Sequence, residues 1–307
     1  MNKPLASIVI PCYNHEKYIG SCLNSVIGQT YENIEVLICD DCSTDKSFFE
    51  IKKIESILKS RFNRVVILQN EKNLGLVKNI NKLIKLSNGE YIKILASDDM
   101  LLPNSIETSI DYLSINNDVD VLHTNAYIVN EMASLPVFSK DIIGIAHTKV
   151  VKYLFPLTVS SVLIKNGIVA PSVIIPKKTY EKYGLFDEKL YFEDKEYWVR
   201  VLAGKGKIGY LNKFTCYYRI VEGSVSHSNN DYNKEFKIYN CNKQIMLKYE
   251  PLLSRRIKTK FYNRMLYEYI NKNNDKLVFI ILEEMKREGY RIRYINRIMM
   301  NKKQYAK

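Results

Sequence analysis

The sequence predicts an α/β fold, a mostly parallel sheet with helices on both faces, followed by a basic helical C-terminal region. Three observations carry this. Short apolar runs of strand length alternate with segments of helical period through the first half of the chain. Polar and acidic residues gather where those runs end. The positive charge is confined to the last quarter: residues 232–307 hold 19 Lys/Arg against 7 Asp/Glu, nearly all of the net +13.

The elements follow in order. Ile8 to Pro11 reads as a buried strand, and Ile19, Cys22, Leu23, Val26 and Ile27 mark one face of the next helix. Ile34 to Cys39 is the second strand, and a helix opens after Ser43 and runs to about Ser60. Val65 to Leu68 is a third strand. Leu76 to Leu86 is a helix with Ile80, Leu83 and Ile84 inward, and Tyr91 to Leu95 a fourth strand. Pro103 suits the first position of a helix reaching about Asn116, and Val119 to Val129 is extended. Residues 131–168 show no period and suggest loops with short helices. Ser172 to Pro176 then reads as a strand, Lys177 to Tyr183 as a short helix, Asp194 to Gly204 as a helix, and Ile208 to Ile220 as a strand. From about Asn233 the pattern is helical. The expected division is a catalytic domain over 1–230 and a helical basic region over 231–307.

At 307 residues and 46% apolar content the chain can bury a large core, and no run approaches the ~20 apolar residues of a spanning helix. No basic, apolar and small-residue leader precedes the strand-like Ala6–Ile10, and the six cysteines suit a reducing compartment, so a cytoplasmic protein is expected. Cys39 and Cys42 form a C-x-x-C around Asp40 and Asp41. Two anions oppose thiolate formation, so the spacing reads as coincidence.

In parallel sheets ligands bind beyond the carboxyl ends of the strands. Three polar groups fall there: Pro11-Cys12-Tyr13-Asn14, Asp40-Asp41-Cys42-Ser43-Thr44-Asp45, and Asp98-Asp99. Ser43 and Asp45 are ordinary helix caps, but two Asp after a buried strand exceed what a cap needs. Adjacent Asp at a strand end suit a divalent cation bound with phosphate oxygens, although solvated turn residues would look the same. Glu193-Asp194 opens a helix carrying Trp198, the single tryptophan, and Arg200. That pair complements the helix dipole, and a carboxylate so placed is also a candidate general base. No G-x-G-x-x-G follows the first strand, no nucleophile elbow is present, and His15, His123, His147 and His227 lack metal-ligand spacing.

Taken in order, Ile8-Val9-Ile10-Pro11-Cys12-Tyr13-Asn14, Asp40-Asp41-x-Ser43-Thr44-Asp45, Asn73-Leu74-Gly75, Ser97-Asp98-Asp99, Phe186-Asp187-Glu188 and Glu193-Asp194 resemble the family two glycosyltransferases of the GT-A, Rossmann-like fold. The resemblance covers residues 5 to 228. It implies an inverting transferase moving a sugar from a nucleotide-sugar donor, with UDP the expected nucleotide, to a glycan or lipid-linked acceptor in surface polysaccharide synthesis. Pro11, Tyr13, Asn14, Asp41, Asn73 and Lys78 would bind the nucleotide, and Asp98 the ribose or donor sugar. Asp99 would ligate Mn or Mg, and Asp194 would be the base. Glu193, Trp198 and Arg200 would shape the acceptor site. Two departures stand out: Ala96 replaces a further Asp of many relatives, and Ile220-Val221 follow Tyr218-Arg219 where many carry a His.

Residues 290–302 place Tyr290, Tyr294, Ile295, Ile298 and Met299 opposite Arg291, Arg293, Arg297 and Lys302. A basic amphipathic helix of this kind suits an anionic membrane surface, which implies a peripheral protein on the inner face of the membrane. A C-terminal helix packed on its own domain would carry the same pattern. A sugar nucleotidyltransferase is a competing expectation, weakened by the missing Gly-rich loop after the first strand. A nucleic-acid-binding protein is another, but a nearly neutral body with acidic strand ends argues for no nucleic-acid partner.

Overall fold

Strands β1 (Ala6–Cys12) and β2 (Ile34–Asp40) are buried at every position, as strands covered on both faces must be. The computed structural model describes residues 3–130, 157–221 and 231–290. β1 pairs in parallel with β2 and with β4 (Tyr91–Ile94), and β2 with β3 (Arg64–Gln69). β7 (Ile174–Pro176) lies antiparallel to both β4 and β6 (Val121–Asn130). β8 (Ile208–Ile220) runs parallel to β6, and β5 (Met100–Leu101) antiparallel to β8. The eight-stranded order is β3-β2-β1-β4-β7-β6-β8-β5, so only β5 and β7 oppose the common direction. The mostly parallel sheet read from the sequence is thus present. Of its two reversed strands, β7 falls within the strand read from Ser172 to Pro176, and β5 spans two residues, too few to show a period of its own.

The pleat sorts the core. Ala6, Ile8 and Ile10 of β1, with Ile34, Val36 and Ile38 of β2, join one cluster. Against them pack Leu23 and Val26 of α1 (Ile19–Ile27), Ile51 and Leu58 of α2 (Ser47–Arg61), and Ile106 and Ile110 of α4 (Ser105–Ile115). The other face of β1 and β2 receives α3 (Leu76–Leu86), which buries Val77, Ile80, Leu83 and Ile84. Leu23 and Ile38 are wholly inaccessible, so truncating either to Ala costs about 2–5 kcal/mol. Helix α4 starts two residues later than the proline suggests, because the Pro103 carbonyl accepts the Thr30 N–H at 2.8 Å instead of opening the helix.

A buried polar knot closes the amino edge of the sheet. Glu35 accepts from the Ser7 hydroxyl at 2.5 Å, from the backbone N–H of Asn88 and Gly89, and from Arg64. Burial pushes its pKa up, but these donors outweigh that and hold Glu35 below the usual carboxylate range. A Cβ on Gly89 would stand 2.4 Å from the Ser7 hydroxyl, so only glycine fits there.

Two short helices, α6 (Lys177–Tyr183) and α7 (Asp194–Ala203), complete the sheet-bearing unit. The second unit groups α5 (Val159–Ile164) with α8 (Tyr232–Lys248), α9 (Arg255–Asn271) and α10 (Asp275–Arg287). Its membership of residues 158–166 has no counterpart in the sequence pattern. Side-chain caps start the long helices: Asp231 accepts from Asn233 N–H, Ser254 from Ile257 N–H, and Asn274 from Leu277 N–H. Lys243 and Tyr239 of α8 both reach Glu284 of α10 at 2.6 Å, while Lys272 after α9 returns to Glu235 of α8 at 2.8 Å. The loops expected over 131–156 and the basic segment after Tyr290 lie outside the described residues.

Candidate active site

The carboxyl ends of β1, β2 and β3 stand level: Cys12 is in register with Asp40, and Asp40 with Gln69. Beyond them the β1 and β2 loops are zipped together. Asn14 donates its backbone N–H to Ser43 Oγ at 3.0 Å, and its side-chain oxygen accepts the Thr44 N–H at 2.8 Å. His15 N–H reaches Ser47 Oγ at 2.7 Å, and Glu16 N–H reaches Asp45 at 3.0 Å. Asn14 and Cys42 take positive φ (54° and 61°), the turns that aim both loops at one another. Pro11 is buried at the strand end, whereas Tyr13 is 43% exposed above it. The Cys39 and Cys42 thiols are free, and burial pushes that of Cys39 up to about 11, the opposite of redox activation.

Asp41 is the hub of the next loop. Its Oδ1 accepts from Leu74 N–H at 2.7 Å and Asn70 Nδ2 at 2.9 Å, and its Oδ2 from Gly75 N–H at 2.8 Å. Burial acts to raise its pKa, but these donors outweigh it, so the group is held ionised below the ordinary range. Gly75 sits at φ 88°, ψ 158°, a conformation that only glycine adopts readily. The clamp presents exposed Asn73 and Lys78 on either side of it.

β4 brings the third group to the same edge. Leu95 N–H binds the Val9 carbonyl at 3.0 Å, and Ser97 Oγ lies 2.7 Å from His15 Nδ1, tying the turn after β4 to the β1 loop. The two aspartates that follow differ sharply. Asp98 is partly exposed. Asp99 is only 2% exposed and its Oδ1 accepts the backbone N–H of Arg219 at 2.8 Å. Burial and then the Asp98 charge push the Asp99 carboxyl well above the usual range. Asp99, expected as the metal ligand, is thus the buried and backbone-bonded member of the pair. Asp98 is the accessible carboxylate of the pair. No cluster of three or more His, Cys, Asp or Glu among the described residues could hold a metal by itself. One carboxylate completed by substrate phosphates is nevertheless an ordinary arrangement for a divalent cation, and Asp98 fits it.

Helix α7 ends where β6 and β8 begin, since Gly206 N–H binds the Val201 carbonyl and Lys207 N–H binds Asp120 at 2.8 Å. Its ten residues span about 15 Å, so Glu193 and Asp194 lie a helix length from that amino edge. The loop before it is pinned by Asn81 of α3, which exchanges hydrogen bonds with the Phe186 backbone at 3.0 and 3.1 Å. Glu193 is partly exposed, and burial followed by the Asp194 charge pushes its carboxyl up to about 7. Trp198 and Arg200 do not match their expected acceptor role. Trp198 is 2% exposed and meets Tyr197 edge-on at 5.7 Å, a core aromatic. Arg200 binds Glu196 one turn back and donates to the carbonyls of Tyr183 and Leu185, fixing the Gly184 turn.

Two buried cations, Arg219 of the Tyr218-Arg219 pair and Lys93, which the sequence reading did not single out, shape this edge. Arg219 donates from Nε to the Asp98 carbonyl at 2.9 Å and lies 5.2 Å from the Tyr18 ring centre. Lys93 of β4 is fully buried, bonding the Pro171 and Val173 carbonyls, and burial pulls it down to about 8. Lys93 had no legible signal, and Arg219 was noted only beside Tyr218, because a cation inside a strand becomes meaningful only when its neighbours are known.

The model of glycosyl transferase family 2 matches residues 7–139. The chain is 30% identical over 225 residues to an uncharacterised glycosyltransferase of Methanocaldococcus jannaschii, covering 72% of each. It is also 30% identical over 224 residues to the Escherichia coli UDP-Glc:alpha-D-GlcNAc-diphosphoundecaprenol beta-1,3-glucosyltransferase WfaP, covering 72% of this chain and 80% of that one. The S. aureus TarS 1-349 structure with UDP-GlcNAc superposes with a TM-score of 0.58 at 20% identity, over 94% of this chain and 93% of that one, which establishes the GT-A fold. With the family's motifs set at one edge of this sheet, the chain belongs to glycosyl transferase family 2 and is a glycosyltransferase.

Proposed function

We propose that this glycosyltransferase moves a sugar from a UDP-sugar to a hydroxyl of a lipid-linked glycan, with inversion, during surface polysaccharide synthesis at the cytoplasmic face of a membrane. The observation that carries the reading is the sheet edge itself. Exposed Tyr13 and Asn73 and partly exposed Asp98 stand on loops locked together by Asn14, Asp41 and His15, and exposed Lys78 stands in the first turn of α3. A nucleoside needs an aromatic or apolar wall and fixed polar groups, and this edge supplies Pro11, Tyr13 and the Asp41-held loop. WfaP, named for a UDP-Glc donor and a diphosphoundecaprenol-linked acceptor, supports the same substrate classes.

In the proposed reaction the acceptor hydroxyl attacks the sugar C1 as the bond from C1 to the diphosphate oxygen breaks. The hydroxyl proton passes to the Asp194 carboxylate, and Glu193 beside it shapes the acceptor end. A divalent cation held by Asp98 and the donor phosphates would offset the charge on the departing nucleoside diphosphate. Asp99 acts through Arg219 to hold the Asp98 turn.

The test is thermal stabilisation across a panel of nucleotide sugars with and without Mn²⁺, followed by transfer to a diphosphoundecaprenol-linked sugar. A metal-dependent rise with one UDP-sugar and turnover with that donor is the expected result. A chain that no nucleotide stabilises would refute the reading.

A further inference from the structure

We infer that one end of the α8–α10 bundle is the surface by which this chain sits on an anionic lipid bilayer; the inference rests on the membrane-face reading above and gives it a location. α8 and α10 run side by side, joined by the Lys243–Glu284 ion pair, and α9 returns between their ends. The same end therefore holds the last turn of α8, the first turn of α9 and the last turn of α10. Arg255 confirms this closure by donating to the Gly289 carbonyl at 2.7 Å.

Charge is unevenly divided between the two ends. Residues 243–264 and 283–290 hold nine Lys/Arg against four Asp/Glu, whereas 231–242 and 265–282 hold four of each. Of the acids at the basic end, Glu250 is paired with Lys258, Glu284 with Lys243 and Glu288 with Arg287. Lys248, Arg256, Lys260 and Lys286 are exposed there. Among them stand two large apolar side chains in water, Leu247 at 47% and Leu252 at 59% exposure. The chain leaves this same end into residues 291–307, which carry six Lys/Arg and no Asp/Glu.

Cations around protruding leucines match the two layers of a bilayer surface. Basic residues are drawn to anionic headgroups, and short apolar side chains enter the acyl boundary. A nucleic acid would use the charge but not the leucines. A protein partner gives no reason for a predominantly cationic rim continued by a basic segment.

The experiment uses the full chain and vesicles of phosphatidylglycerol mixed with phosphatidylcholine, against phosphatidylcholine alone. The wild type should sediment with the anionic vesicles only, and less as salt rises. The triple variant R256E/K260E/K286E should lose about tenfold or more in vesicle affinity. L247S/L252S should bind more weakly while keeping its salt response. UDP-dependent thermal stabilisation should be unchanged in both variants. Wild-type sedimentation of both variants would overturn the location and leave the membrane reading standing. A wild type that sediments with neither vesicle would overturn both. Retention on duplex DNA without vesicle binding would overturn the inference in favour of a nucleic-acid surface.

Discussion

The Asp99 side-chain oxygen Oδ1 accepts the backbone N–H of Arg219 at 2.8 Å, while Arg219 Nε donates to the Asp98 carbonyl at 2.9 Å. This reciprocal clasp joins β8 to the turn after β4 and fixes where the accessible Asp98 points. Asp99→Ala leaves a buried N–H without its acceptor, so it should cost about 1–3 kcal/mol in chemical denaturation. Asp99→Asn keeps an acceptor oxygen and should cost less. Equal stability of Asp99→Ala and wild type would show that the clasp holds nothing.

Asp98→Ala should have the opposite profile. Asp98 is partly exposed, so its loss should leave stability nearly unchanged while abolishing the Mn²⁺-dependent part of UDP binding in calorimetry. Retained metal-dependent affinity would remove Asp98 from the site.

Gly75→Ala tests the loop that Asp41 clamps. At φ 88° and ψ 158° an alanine is strained by about 1–3 kcal/mol, and relaxing it would pull the Gly75 N–H from Asp41. Both stability and nucleotide affinity should fall. A variant with wild-type UDP affinity would show that the loop does not touch the nucleotide.

Asp194→Asn should retain donor binding and lose about 10²–10⁴-fold in kcat, since an amide cannot take the acceptor proton. Slow hydrolysis of the donor offers a readout without the acceptor. If Asp194→Asn transfers normally and Glu193→Gln is dead, the base is Glu193.

Glu193 also predicts a pH dependence. Its carboxyl is pushed up from 4.5 to about 7, so between those values the folded chain keeps a proton that the unfolded chain has released. Its stabilising contribution is full below pH 4.5 and is lost as pH rises through about 7. The melting temperature of wild type relative to Glu193→Gln should fall across that window. A difference flat with pH would place Glu193 in water.

Much of the fold was legible because its signals are local. The period of Ile80, Leu83 and Ile84 and the apolar runs of β1 and β2 each report their own burial, and alternation then dictates the parallel sheet. β5 was hidden because two residues carry no period, and β7 was read as a strand from Ser172 to Pro176 but its reversed direction was not, since the pairing of both is decided by distant β8, β4 and β6. The sequence by itself determined which acidic groups stand at strand ends, since strand direction puts Asp41 and Asp98 at one edge. Tertiary structure alone decided what each group does there. Asp98 and Asp99 are neighbours of identical chemistry, and only the arrival of β8 buries one against Arg219 and leaves the other accessible. Trp198 and Arg200 show the same division: their residue types suggest a sugar site, but α7 turns both inward, where packing and carbonyl bonds consume them. Burial and hydrogen-bond partners belong to the assembled chain, and no local pattern records them.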